Sequence, residues 1–440
     1  FDAGMYKQSA FGLIANEGDD FRIGVKGNSS QGGDSWCIWD NFKLYYRGFK
    51  AEVVQPVLET AIADLQQYSS MLMGKTEYAS LSKAFADADA AIEAQDGEAM
   101  FQALNSLYNV KESVVASKDL FLEKEVPAEV QTLSECITAN KDKKFYKQLL
   151  TNANTLLAGI QGNTRYEGSE IDQLKTDVAN AIEAINTSII LYEDLNTAMT
   201  TLQASAAKKA YKTLVDDATA EIAKATTAYN EGTLNDEAVE EETELLYTKN
   251  EALLNSAELY VQLAEAIGRL QAAITEASAE TAHVAASTLK KGNLRLTASQ
   301  KLYDEATIAD ADIPARITAT DELITELTHS IELYRQLAAA LDELKAALAK
   351  EDKVSGSTRS TAQETYDNGL AAYNDGSVDD NMMEFQIGLV TGGVLSLEES
   401  ATLYSQLAEA ITTLEAAVQK KAQQSLLDEA NSLLVTDKSG

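Results

Sequence analysis

Reactive and cross-linking side chains are scarce in this sequence. Two cysteines, Cys37 and Cys136, and two histidines, His283 and His329, are spread over 440 residues. So few leave no cysteine cluster for a metal and little from which to build a Ser-His-Asp triad or a zinc site. The cysteines fall in different segments, so disulfide scaffolding is not expected, and their rarity fits either a cytosolic protein or a bacterial surface protein stabilised by helix packing. No run of about 18 apolar residues occurs, so no segment reads as a membrane-spanning helix. Cations are outnumbered, with 36 Lys plus Arg against 69 Asp plus Glu and a formal net charge of −33. That balance disfavours a phosphate-backbone partner, because such binding depends on counterion release by Lys and Arg, and nucleic acid is not an expected ligand. No glycine-rich phosphate loop appears. No catalytic residue, metal ligand or cofactor is expected from these absences. The chain opens at Phe1 without Met or a signal-like segment, inside a strand-rich stretch, which suggests a processed or truncated product.

What is present divides into two unequal regions. Residues 1–49 hold Gly24, Gly27, Gly32, Gly33 and Gly48 and both tryptophans, Trp36 and Trp39. The stretches 21–25, 36–39 and 42–46 are β-branched or aromatic and bounded by turn formers, so two or three strands are expected there, too few to fold alone. From about Ala51 the chain is rich in Ala, Leu, Glu and Lys, the composition of helix. Proline is rare: Pro56 falls in an expected first helical turn, and only Pro127 and Pro314 lie beyond it.

Within the helical region a single phrase returns five times: Ser117/Leu120/Phe121, Ser188/Leu191/Tyr192, Ser256/Leu259/Tyr260, Ser330/Leu333/Tyr334 and Ser400/Leu403/Tyr404. Successive aromatic positions are 71, 68, 74 and 70 residues apart, a period that marks a tandem array. After each phrase a helical stripe follows, as in Leu259, Leu263, Ile267, Leu270 and its copies Leu333, Leu337, Leu341, Leu344 and Leu403, Leu407, Ile411, Leu414. Leu191, Leu195, Met199 and Leu202 repeat it, whereas the Phe121 copy meets Lys124 and Pro127, which predicts a break or kink, with Val130 and Leu133 resuming the stripe. Ser169 with Asp172, Thr233 with Asp236 and Ser377 with Asp380 have capping-box spacing. A helix of roughly 40 residues is expected from Asn235 to about Ser278. Second helices are expected at 210–230 and 361–373, and Gly388, Gly392 and Gly393 predict a bend or frayed turn near 388–394.

The fold class expected is mainly α: tandem three-helix-bundle repeats, joined by continuous helices into an elongated rod, with a small N-terminal β segment. The boundaries read 1–49 for the β segment, then 50–121, 122–192, 193–260, 261–334 and 335–404 for five helical repeats, and 405–440 for a further start or a helical cap. Helices of ~30 Å stacked end to end would give a rod on the order of 150–200 Å.

Few residues invite a chemical role. Asp375, Ser377 and Asp379 resemble the opening of a calcium loop, but Asp380 and Gln386 occupy positions that need Gly and a bidentate Glu. The pairs Asp87/Asp89 and Asp310/Asp312 read as solvated caps beside helix ends. The repeated tyrosines, in register with the leucine stripe, read as packing residues, and the serine four positions earlier reads as a small residue permitting close helix approach. Trp36, Trp39, Asp40 and Asn41 form the one cluster of binding character. Two tryptophans three apart on a strand point to opposite faces, so one packs inward while the other either joins the interface with the helices or offers a sugar platform.

The segment Trp36-Cys37-Ile38-Trp39-Asp40-Asn41-Phe42-Lys43-Leu44-Tyr45-Tyr46 resembles the closing strand of galactose-binding-like β-sandwich modules of Bacteroidetes surface and secreted proteins, which end in Trp-x-x-x-Asp-Asn-Phe-x-Leu-x-Tyr. The helical array is similar to the three-helix spacer repeats of bacterial surface proteins, FIVAR-type domains in particular. Together these resemblances imply an extracellular or cell-surface protein, read as a non-enzymatic, adhesin-like spacer presenting a sandwich whose remaining strands would precede Phe1, so that its sugar site is incomplete here, with Trp36, Trp39, Asp40 and Asn41 as the candidate glycan-binding residues. Two other readings stay open. One is an accessory region of a larger glycan-degrading enzyme, and the other is a scaffold presenting acidic helical faces to a protein partner.

Overall fold

The computed structural model describes residues 15, 20, 22, 43–46, 48–120, 124–279, 283–420 and 422–439. The described chain is mainly helical. In order it runs α1 (Ala51–Gln66), β1 (Met73–Gly74), α2 (Lys75–Ala94), α3 (Gly97–Leu120), α4 (Val126–Asn140), α5 (Lys147–Gly162) and β2 (Arg165–Tyr166). There follow α6 (Gly168–Ala206), α7 (Lys212–Glu231), α8 (Asp236–Ala277), α9 (Ala286–Glu305), α10 (Ile313–Ala349), α11 (Gly356–Asp375), α12 (Asp380–Val418) and α13 (Gln424–Ser439). The expected strand at 42–46 is not seen over its described residues: Lys43–Tyr46 have no regular structure, Leu44, Tyr45 and Tyr46 are exposed, and no described residue pairs with them. Trp36, Trp39, Asp40, Asn41 and Phe121 lie outside the described residues.

Long and short helices alternate from α6 onward. The helices α6, α8, α10 and α12 have 39, 42, 37 and 39 residues, and α7, α9 and α11 between them have 20 each. Such length follows from Ala-, Leu- and Glu-rich sequence without interior proline. Pro314 sits in the first turn of α10, where its missing N–H costs nothing. α3 and α4 are separate elements with Pro127 in the first turn of α4, and Leu133 beyond it is buried. Two expectations fail. Pro56 lies inside α1 and not in its first turn. α12 also runs without a frayed turn through Gly388, Gly392 and Gly393. A Cβ on Gly393 would lie 3.3 Å from Leu344 Cδ1, so this glycine admits a neighbouring helix and does not end its own.

Two compact units make up the chain, Phe1–Asn196 with Thr227–Glu240 and Thr197–Thr226 with Glu241–Gly440. In the first, α1, α2 and α3 close a three-helix core on Leu58, Leu65, Leu81, Met100, Leu104 and Leu107. β1 and β2 form a parallel pair in register Met73–Arg165 and Gly74–Tyr166. In the second unit, Leu270, Ile274, Leu323, Leu327 and Ile331 make one cluster, and Leu333, Tyr334, Leu337, Leu341, Leu344, Met383 and Val390 another. Leu263, Ile267 and Leu270 in the copy at 260 and Leu333, Leu337, Leu341 and Leu344 in the copy at 334 are therefore buried, with Leu259 half-buried, each fully buried side chain contributing about 1.5–3 kcal/mol.

Candidate functional site

The repeated phrase marks the site where the chain's polar interactions concentrate. Each serine is buried, and its hydroxyl accepts a backbone N–H from the residue just ahead of a short helix. Gly74 donates to Ser117 Oγ at 2.5 Å, Tyr146 to Ser188 at 3.2 Å, Tyr211 to Ser256 at 2.9 Å, Ala285 to Ser330 at 3.0 Å and Ser355 to Ser400 at 3.0 Å. The serine is thus a hydrogen-bonding group, not merely a small one, because an N–H just ahead of a helix and hidden from water needs an acceptor. Twice the hydroxyl donates onward to a carboxylate at the start of a long helix. Ser256 donates to Asp310 Oδ1 at 2.7 Å and Ser330 to Asp380 Oδ1 at 2.6 Å.

The tyrosine one turn later reaches the same loop. Its hydroxyl donates to the carbonyl of Leu234 from Tyr192 at 2.8 Å, of Ile308 from Tyr260 at 2.7 Å and of Val378 from Tyr334 at 3.3 Å. Each acceptor stands two residues before an aspartate, in Leu234-Asn235-Asp236, Ile308-Ala309-Asp310 and Val378-Asp379-Asp380. One helical turn, Ser-x-x-x-Tyr, therefore staples two loops, the entrance of a short helix and the entrance of a long one. Burial pushes the hydroxyls of Tyr192, Tyr260 and Tyr334 up to about 12.

A third contact recurs beside it. The first residue of a short helix donates its N–H to the carbonyl just past the end of the next short helix: Lys147 to Gly232 at 3.0 Å, Lys212 to Ala306 at 2.8 Å and Ala286 to Gly376 at 2.8 Å. The acceptors hold left-handed backbones, with φ of 65°, 54° and 62°. At the first junction the equivalent place is the β1–β2 pair, where Met73 N–H donates to Thr164 O at 3.1 Å. A tyrosine near each short helix end packs against the phrase tyrosine: Tyr229 on Tyr192 with ring centroids 5.8 Å apart, Tyr303 on Tyr260 at 6.1 Å and Tyr373 on Tyr334 at 6.1 Å. A nitrogen-bearing side chain completes the group. Lys144 Nζ donates to Asn230 O at 3.0 Å and Lys209 Nζ to Asp304 O at 2.6 Å, cations at the negative end of a helix dipole. His283 takes the corresponding place and packs on Tyr373 at 4.1 Å.

These contacts revise several expected caps. The helix α8 is capped by Asn235, whose Oδ1 accepts from Ala238 N at 2.9 Å, and not by Thr233. α12 is capped by Asp379, which accepts from Met382 N at 2.9 Å, while Asp380, assigned to the box, receives Ser330. At α6 the box is Glu167 with Glu170 at 2.9 Å, not Ser169 with Asp172. Asp310 is half-buried and bonded, not a solvated cap. In the calcium-like stretch, Asp375 accepts from Ser377 and Asp379 caps its helix, so these oxygens already have partners within the protein. Among the described residues no group of three His, Cys, Asp or Glu is placed to hold a metal ion.

Away from the phrase, a cluster of ion pairs joins α7 and α8 in the second unit. Lys224 meets Glu221 at 2.8 Å and the buried Glu242 at 3.0 Å, and Lys249 meets Asp217 at 2.5 Å. Hydrogen bonding to Lys224 holds the Glu221 carboxyl below its usual range. Cations and acids alternate there, an arrangement that ties two helices together. Sequence reasoning missed the onward partners of the phrase. The signal was the recurrence of aliphatic-x-Asp 42 to 48 residues after each tyrosine, as Leu234, Ile308 and Val378. Comparison with protein-family models, characterised proteins and solved structures finds no match.

Proposed function

We propose that the chain is a non-enzymatic, extracellular or cell-surface spacer: a tandem array of three-helix repeats that extends as a rod and presents a carbohydrate-binding N-terminal segment. The observation that carries this reading is the recurrence of one set of contacts, serine to helix entrance, tyrosine to the aliphatic-x-Asp loop and short helix to short helix, at a spacing near the sequence period. A catalytic protein concentrates its polar groups in one cleft, whereas here the same polar groups recur along the chain, meeting helix-entrance backbone groups and, at Ser256 and Ser330, a carboxylate. The acidic surface, with a net charge of −33, suits a solvated, self-repelling array. No helix among the described residues is long and apolar enough to cross a membrane.

The glycan role rests on Trp36, Trp39, Asp40 and Asn41 and on the resemblance of residues 36–46 to a β-sandwich closing strand. A glycan array probed with the full chain should give binding that Trp39→Ala or Trp36→Ala abolishes while the helical circular dichroism is kept. Binding that survives both substitutions would remove the carbohydrate role from this segment. Hydrolysis of any bound glycan by the purified chain would overturn the non-enzymatic reading.

A further inference from the structure

The fifth copy of the phrase is only half covered. At Ser256 the stripe residues Leu263, Ile267 and Leu270 are buried, and the long helix opened by Ile308-Ala309-Asp310 lies against them through Ile313. At Ser330 the stripe Leu337, Leu341 and Leu344 is buried under α11 and under α12, the long helix opened by Val378-Asp379-Asp380. At Ser400 the hydroxyl still accepts from Ser355, and α13 supplies a following short helix whose Leu434 is buried. Yet Leu403 is 58% and Leu407 38% exposed, Ile411 and Leu414 are half-buried, and Leu426 and Leu433 on α13 are exposed as well. Among the described residues no carboxylate takes the Ser400 proton and no carbonyl takes the Tyr404 hydroxyl. An open groove lined by Ala410, Thr413, Leu414 and Ala417 runs along the same stretch of α12.

We propose that this face is the docking site for an unpaired helix of the α10 and α12 class. Such a helix is opened by aliphatic-x-Asp and carries an apolar stripe. The two other copies in this unit define the chemistry of the occupant. Its aspartate receives the Ser400 hydroxyl, the carbonyl two residues before it receives Tyr404, and its stripe covers Leu403, Leu407 and Ile411. The continuity of the phrase along the array argues for this occupant, because the same helical turn meets the same partner class at Ser256 and Ser330. A folded second copy of the chain is a poor occupant, since the openings of its own helices of this class are already engaged: Asp310 and Asp380 receive Ser256 and Ser330, and Leu234 ahead of α8 receives Tyr192. The inference depends on the repeat reading proposed above.

The test is fluorescence anisotropy of a labelled peptide spanning residues 377–400 of this sequence, titrated with the full chain. The chain's own α12 is held intramolecularly at an effective concentration in the ~mM range, so the peptide reports the free face and not exchange. Saturable binding is expected, weakened at least about tenfold by Leu407→Glu or Leu403→Glu in the chain and by Asp380→Ala in the peptide. Both leucines are already exposed, so an unchanged thermal melt will show that the variants fold. Absence of saturable binding, or binding indifferent to both leucine variants, overturns the docking site. Binding indifferent to the Asp380→Ala peptide overturns the aliphatic-x-Asp recognition. Scattering from the full chain tests the repeat array without involving this face, so the two failures are distinguishable.

Discussion

At the scale of the residue, the protein turns on a buried hydroxyl and a phenol one helical turn apart. If Ser256 or Ser330 only permitted close approach, alanine would serve as well. The hydrogen bonds to Tyr211 N–H and Asp310, and to Ala285 N–H and Asp380, predict instead that Ser256→Ala and Ser330→Ala each cost about 1–3 kcal/mol, because buried partners are left unmet. Urea unfolding measures this, and a cost near zero would return the serine to a mere spacer. The tyrosines make a pH prediction. Their folded-state pKa of about 12 lies above the ordinary value of 10.0, so the protonated form is favoured by folding. The associated stability is complete below pH 10 and is lost as pH rises through 12, on the order of 2 kcal/mol for each of Tyr192, Tyr260 and Tyr334. Ultraviolet titration should show these phenols ionising only with unfolding. Ordinary titration of all 18 tyrosines in the folded protein would contradict the burial argument.

At the scale of the element, the turns closing the short helices set the geometry. Gly232 has φ +65° and a Cβ there would stand 2.6 Å from Phe145 O, whereas at Gly376 the nearest atom, Val284 O, is 3.5 Å away. Gly232→Ala should therefore destabilise by more than the ~1 kcal/mol expected for Gly376→Ala, where only the left-handed backbone is at stake. Ala306 occupies the same place at φ 54° without being glycine, and Ala306→Gly should raise stability by up to about 1 kcal/mol. Thermal melts of the three variants check this order. These elements also show what was readable in advance. The 40-residue helix after Asn235 was legible because its apolar period runs unbroken past Gly268, and the turns at Gly232 and Gly376 because glycine ends a helix there. The unbroken α12 was not legible, since intrinsic propensity penalises Gly393 while the packing of Leu344 against it is a tertiary fact. The true caps at Asn235 and Asp379 were hidden for a similar reason. Thr233-x-x-Asp236 and Ser377-x-x-Asp380 satisfy a local rule, but Asp380 is drawn to a serine 50 residues earlier in the chain. Trp36, Trp39, Asp40 and Asn41 lie outside the described residues, so their role stands on the sequence alone.

At the scale of the whole molecule, the proposal is that the phrase is a seam joining one three-helix repeat to the next. Long helices shared between neighbours would fix the direction of each repeat and extend the array. Small-angle X-ray scattering from the purified chain is the most direct test. A rod of stacked repeats predicts a maximum dimension of ~150–200 Å and a radius of gyration of ~43–58 Å, as for a thin rod of that length. A radius of gyration of ~22 Å, the value for a compact chain of this size, would contradict it.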